Sequence, residues 1–312
     1  VYKRQIYGYI HYMLNKPDEG LTLAKLGYEL SLKGDDFISK VFSTLVYAWI
    51  LLFKGDKIKT ESLISALDQS LHEKGIFNTL PFSLTGQIIK ICVLLNKLER
   101  AESLIQSLGL DLDAEISYLD EMAYISYARY LITIEDYSKA GALLHKLETT
   151  DEPGERVESL IEIKLLSARL AISLDDVPLA KKSLGEALGL AEEENLMMFF
   201  VEEGHFLGNQ LKDIHPLPEE ISPEPSKKFI DKINLAIEKK HKGRQKFYMD
   251  PISPRELEVL NFMVEGLTNQ EIADKLFVSV NTVKTHLKNI YLKLEVNNRA
   301  RAVSKATEVG II

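Results

Sequence analysis

Four small residues, Thr60, Ala101, Ala140 and Ala180, recur 41, 39 and 40 residues apart. Each is followed at the fourth position by Ile64, Ile105, Leu144 or Leu184, and at the seventh by Leu67, Leu108, Leu147 or Ala187. A period near forty marks stacked helical hairpins. The small residue lets one helix approach its partner, and the aliphatics bury against the next repeat. Polar pairs precede three of the four anchors: Gly55 with Asp56, Glu135 with Asp136, and Asp175 with Asp176. Partner helices are expected over residues 37–53, 82–96, 114–133 and 157–174, with a further hairpin before residue 33. No β-rich stretch interrupts them. The fold class is all-α: a TPR-like helical-repeat superhelix over residues 1–240, with longer helices than the usual tetratricopeptide.

Prolines 216, 218, 223 and 225 fall within ten residues, and at that density no helix continues. Phe229, Ile233, Ala236 and Ile237 mark one more amphipathic helix beyond them, and residues 241–250 read as a linker. Residues 1–225 carry 22 basic and 36 acidic side chains, against 8 and 2 in residues 226–249 and 8 and 8 in the remainder. An acidic body is repelled by DNA, so DNA contact should be left to the last domain. The basic stretch from Lys239 to Lys246 suits either phosphate contact or a solvated linker.

Residues 251–312 form a set of short helices announced by three N-cap signals. Ser253 and Glu256 make a capping box with Pro254 at the first helical position, and Thr268 and Glu271 make a second. Ser279 caps a third helix, which buries Val280, Val283, Leu287, Ile290 and Leu294. Its opposite face carries Asn281, Lys284, Thr285 and Lys288, with Thr282 and Asn289 at the edges, and holds two cations and no acid. Two helices joined by a tight turn, the second polar and basic outside, match what a helix-turn-helix needs to enter the major groove. Lysine and asparagine suit guanine and adenine edges, and threonine a thymine methyl or a phosphate. A solvated helical hairpin is the plainer alternative for such a face.

This stretch resembles the LuxR/FixJ class of four-helix DNA-binding domains. The residues carrying the resemblance include Arg255, Glu256, Gly266, Asn269, Glu271, Ile272, Ala273, Ser279, Thr282, Val283, Lys284, His286, Lys293, Arg299 and Ala302. It implies that Lys284, Thr285 and Lys288 take base-contacting positions. It makes Asn269, Thr282 and Arg299 candidates for DNA-backbone contact or for bracing the module, with an ion pair between Glu256 and Arg299 as an equal option. His286, toward the buried edge, suits packing or a phosphate rather than a metal. In this class the fourth helix often joins two copies on DNA, which makes Ala302, Val303 and Ala306 dimerisation candidates beside a plain core role.

Residues 121–204, ending in the run Phe200 to Gly204, resemble more loosely the superhelical sensor domain of MalT-like regulators. Those place a nucleotide-binding ATPase core before the superhelix. No phosphate-cradling G-x-x-x-x-G-K-[ST] loop occurs in this chain, and it does not open on methionine, so a fragment or a protein without that core is expected. No nucleophile elbow, H-E-x-x-H or cysteine-histidine metal spacing is present either, so neither enzyme, cofactor nor metal is expected. The single cysteine, Cys92, reads as a core thiol in a reducing cytoplasm. The apolar run from Leu45 to Phe53 is about half a membrane span, and no membrane partner is expected.

Tyr124, Tyr127 and Tyr130, three residues apart, are the candidate effector-binding residues on the superhelix, for a sugar, a peptide or a protein partner. Packing between repeats is the alternative. The expected function is a cytoplasmic, sequence-specific transcription regulator. Its partners would be double-stranded DNA, the transcription machinery and an effector, and it would bind DNA as a homodimer. A protein-docking scaffold, or the C-terminal part of an ATPase regulator, is the competing reading.

Overall fold

The forty-residue period shows first in the turns of the computed structural model. One left-handed residue closes the first helix of each hairpin: Asn15 (φ 60°), Gly55 (φ 91°), Asn96 (φ 60°), Glu135 (φ 66°) and Asp175 (φ 63°). An aspartate then opens three of the return helices. Asp136 and Asp176 accept from the backbone N–H of Lys139 and Leu179, and Asp56 from that of Lys59, satisfying donors that have no partner within the helix.

The hairpins pair α1 (Tyr2–Met13) with α2 (Pro17–Ser31), α3 (Phe37–Lys54) with α4 (Lys57–Glu73), and α5 (Phe82–Leu94) with α6 (Leu98–Leu108). They continue with α7 (Glu121–Thr133) and α8 (Tyr137–Glu148), then α9 (Val157–Ser173) and α10 (Val177–Glu194). Three further helices, α11 (Met198–Glu202), α12 (Gly204–Lys212) and α13 (Lys227–Gly243), close the far end of the body. The structure describes residues 2–73, 80–149, 156–212, 214–215, 217–218, 221, 224–243, 252–294, 296–308 and 310–312, and no strand occurs among them.

All four anchors are buried, and the hairpin expected before residue 33 is present. Helix α7 begins at Glu121 rather than at residue 114. The acidic segment before it folds on itself, with the Asp113 N–H donating to the Asp111 side chain, a turn that competes with helix. The apolar run of residues 45–53 lies inside α3, which at 18 residues and a mean hydropathy of 1.5 is long and apolar enough to cross a membrane. The sequence run understated that length. Leu45, Ala48 and Ile50 of α3 are nonetheless fully buried among its protein neighbours. Cys92 is buried too, and burial pushes its thiol up to about 12.

Six residues before each left-handed residue stands one member of a ladder: Tyr9, Trp49, Lys90, Arg129 and Arg169, spaced 40, 41, 39 and 40 residues apart. Acids from the later helices answer it. Glu162 lies 2.8 Å from Lys90 and 2.9 Å from Arg129, while Glu203 pairs with Arg129 and stands 3.5 Å from Arg169. Glu202 accepts from Tyr12 Oη and, at 2.9 Å, from Trp49 Nε1. Burial works against the charge on Glu162, but Lys90 and Arg129 outweigh it and hold the carboxyl down at about 2. These bonds tie the first two hairpins to α11, across more than 150 residues of chain.

Helices α5 and α7 cross where Gly86 has no side chain. A Cβ there would stand 2.7 Å from the Ala123 backbone nitrogen, which cannot yield as a side chain can. Helix α13 runs to Gly243, so the first three residues of the expected linker are helical, and residues 244–250 lie outside the described residues. Lys240, expected in a basic DNA-facing stretch, instead lies 4.4 Å from the centre of the Phe53 ring and donates to the Val201 carbonyl. It belongs to the body.

The last domain has a core of its own, built from Val259, Leu260, Met263, Ile272, Val283, Leu287, Ile290 and Leu294. Its helices are α14 (Pro254–Val264), α15 (Asn269–Leu276), α16 (Val280–Lys293) and α17 (Arg299–Glu308). Both capping boxes form as the sequence predicts.

Candidate nucleic-acid interface

Helix α15 ends on Phe277, held at φ 55° and almost wholly exposed, and Ser279 restarts the chain by accepting from the Thr282 N–H. This turn sets α16 across α14 and α15, with Val283, Leu287 and Ile290 inward. Asn281, Lys284 and Lys288 are exposed and Thr285 is half-buried, so the expected reading face points outward from the module. The Thr285 hydroxyl donates to the Asn281 carbonyl, and the Thr282 hydroxyl lies 2.9 Å from that of Ser279. Asn269 occupies the first position of α15 and is half-buried.

Other assignments change. Arg299 donates to the carbonyls of Met263 and Leu267, at 3.3 and 2.6 Å. It braces the end of α14, and the option of an ion pair with Glu256 does not form. Glu256 pairs instead with Lys293 at 2.5 Å, in full burial, with its second oxygen unpartnered. Burial pushes the Glu256 carboxyl up despite that lysine. On α17, Ala302 and Ala306 are fully buried in the module's own core, leaving Val303 half-exposed beside exposed Ala300 and Ser304. The two alanines therefore present no surface to a second copy; the small side chains serve close approach within one module.

The module sits against the acidic body along one flank of α16. His286 and Asn289 are buried there, and α12 packs on the helix. Two left-handed residues of the solenoid make the polar contacts. Glu135 accepts from Ser253 Oγ and lies 3.1 Å from His286 Nδ1, while Asp175 lies 2.5 Å from Lys288 Nζ. Burial raises the Glu135 carboxyl, but bonding to His286 and Ser253 and the charges of His286 and Lys293 prevail and hold it below its ordinary value. The two acids are repeat equivalents, forty residues apart. The acidic composition of the body predicts that it stands clear of the outer face of α16, whereas this structure brings the two modules together.

Residues 250–306 match the family described as bacterial regulatory proteins, luxR family, and residues 4–216 match the MalT-like TPR region. The chain belongs to the family of the MalT-like TPR region and carries a luxR-family domain after it. Among curated relatives, it is 29% identical over 200 residues to the HTH-type transcriptional regulator MalT of Serratia proteamaculans, a match covering 58% of this chain and 22% of that protein. It is 28% identical over 197 residues to the protein of the same name from Yersinia pestis, covering 57% and 22%. The chain thus spans about a fifth of the length of the relatives it matches. Neither matched family is a catalytic one.

Within the MalT-like region the three tyrosines part company with the effector expectation. Tyr124 and Tyr130 are buried in the body's core, and Tyr127 packs beside Tyr130 with ring centres 6.5 Å apart. A step of three residues walks about 60° backward around a helix, so the three cannot share one narrow face. The groove of the body, about 880 Å³, is lined instead by Tyr9, Trp49, Lys90, Glu121, Glu158 and Glu162 from the first helices of successive hairpins and by Glu202 of α11. Sequence reasoning missed these residues. The signal was present as charged and aromatic residues recurring at one repeat position inside apolar helices.

Proposed function

We propose that this LuxR-family regulator recognises specific DNA sequences through Asn281, Lys284, Thr285 and Lys288 of α16, with Asn269 and Thr282 at the DNA backbone, and that its MalT-like body senses an effector. The exposed, acid-free face of α16 carries this reading. A major groove about 12 Å wide admits one helix, so the flank of α16 now held by Glu135 and α12 is where a phosphate wall would run. The docked module therefore cannot enter DNA. An effector that binds the undocked form better shifts the population toward DNA-competent molecules. A cytoplasmic location, pairing of two copies on half-sites and contact with the transcription machinery complete the proposal.

The test is selection of bound sequences from a random duplex library at fixed salt, comparing the chain with Lys284→Ala/Lys288→Ala. An enriched motif that vanishes in the variant supports the reading, and its symmetry reports whether two copies bind. Enrichment that persists in the variant refutes the assignment of α16 as the reading helix. Affinity should also fall steeply with salt as phosphate counterions are released; a salt-insensitive complex points to protein docking instead.

A further inference from the structure

The groove inside the body is short of positive charge. Of its lining acids, Glu121 is answered by Arg156, and Glu162 by Lys90 and Arg129. Glu158 has no ion-pair partner among the described residues and meets only the Tyr9 hydroxyl, at 3.3 Å. Glu202 takes two neutral donors, with Lys90 no nearer than 3.8 Å. Lys90 is the one basic residue in the lining among the described residues, already spent on Glu162 and on the face of Trp49, 4.4 Å away. Glu158 is open to solvent and Glu202 is half-buried with Lys90 at 3.8 Å, so a ligand's cationic nitrogen can add to what each carboxylate already meets. Burial pushes the Glu202 carboxyl up from the ordinary carboxylate range.

The remaining walls are apolar and aromatic. Tyr9, Phe42, Trp49 and Phe199 line the groove, and Tyr118 and Leu119 stand exposed beside it. Aromatic faces attract cations as well as apolar groups, and the volume lies in the range of small-molecule sites.

We propose that the groove between α1, α3, α9 and α11 binds a small organic ammonium compound with an aromatic or branched aliphatic body, its cationic nitrogen held by Glu158 and Glu202 and its body against Tyr9, Trp49 and Phe42. This inference rests on the reading of the body as a sensor and names the class of effector.

The experiment is calorimetric titration of the full chain, without DNA, using 2-phenylethylamine and 3-methylbutylamine. Their uncharged analogues 2-phenylethanol and 3-methylbutanol, and a neutral trisaccharide, are titrated in parallel. The amines should bind at least tenfold more tightly than the matched alcohols. Glu158→Gln, at a groove wall rather than in the core, should remove that preference while leaving the melting temperature and the weak alcohol binding in place. Glu194→Gln, at the groove's edge, should keep most of it. Equal affinity for amine and alcohol, binding of the trisaccharide but of no amine, no binding by either amine, or an amine preference untouched by Glu158→Gln each overturns the proposal. Because DNA is absent, failure here leaves the DNA-binding reading standing, and loss of DNA selection leaves this one intact.

Discussion

Glu135→Ala should make this protein bind DNA more tightly, although the residue touches no DNA. Its carboxylate accepts from Ser253 Oγ and faces His286 Nδ1 at 3.1 Å, largely shielded from water. A hydrogen bond to a charged group contributes about 1.5–3 kcal/mol, so truncation should shift the docked-to-free equilibrium roughly 10- to 100-fold toward the free module. Apparent affinity scales with the fraction of competent molecules. If the docked form dominates, the dissociation constant should drop by up to the same factor, levelling off once the free form prevails. The assay is fluorescence anisotropy on a selected duplex at one fixed salt concentration. Removing an acid also lessens repulsion from DNA, and Asp136→Asn isolates that effect. It deletes the same charge one residue away and keeps the cap on Lys139 N–H, since asparagine caps as well as aspartate. A gain of equal size in both variants, or none in Glu135→Ala, refutes the reasoning that docking hides the reading helix.

Gly86→Ala should destabilise the body by about 1–2 kcal/mol, because overpacking against the Ala123 backbone exceeds the roughly 1 kcal/mol of added helix propensity. Gly141→Ala, whose Cβ would meet only Leu170 Cδ2 at 3.6 Å, should stabilise by about 0.5–1 kcal/mol; urea unfolding of the pair checks the opposite signs. Lys293→Met strands Glu256 in the module's core and should cost about 3–5 kcal/mol, with much of the loss recovered by adding Glu256→Gln; a neutral single variant counts against the buried pair. Glu162, depressed to about 2 in the folded body, lends stability that is complete above the ordinary carboxylate value and lost as pH falls from there toward 2. Glu162→Gln should flatten that limb of the stability profile, and an unchanged acid limb contradicts the assignment.

The anchors at Thr60, Ala101, Ala140 and Ala180 and the capping residues Ser253, Thr268 and Ser279 were legible because each acts within one or two turns of its own helix. Arg299 was only half legible: bracing was on the page, but the choice among carbonyls, Glu256 and phosphate depends on where α14 ends in space. Ala302 and Ala306 were ambiguous for a related reason, since a small residue marks close approach without naming the approaching surface. The groove eluded the sequence because Tyr9 meets Glu158, and Trp49 meets Glu202, across 149 and 153 residues of chain. The tyrosines of α7 drew attention by their local spacing, whereas the residues that build the groove are related by the repeat. The loosely matched run from Phe200 to Gly204 gains a physical meaning here. Glu202 and Glu203 close the ladder, and a Cβ at Gly204 would stand 2.6 Å from Ile237 Cγ1.

A stack of repeats that touch only their neighbours melts like a row of coins, from either end and by degrees. The bonds from Tyr12 and Trp49 to Glu202 change that arithmetic. They join the ends of the row into a loop, so that loosening the first hairpin also strips α11 of partners, and α11 adjoins α12, which packs on α16. A disturbance at the amino-terminal hairpin thus has a short path to α16, through α11 and α12 rather than along the stack.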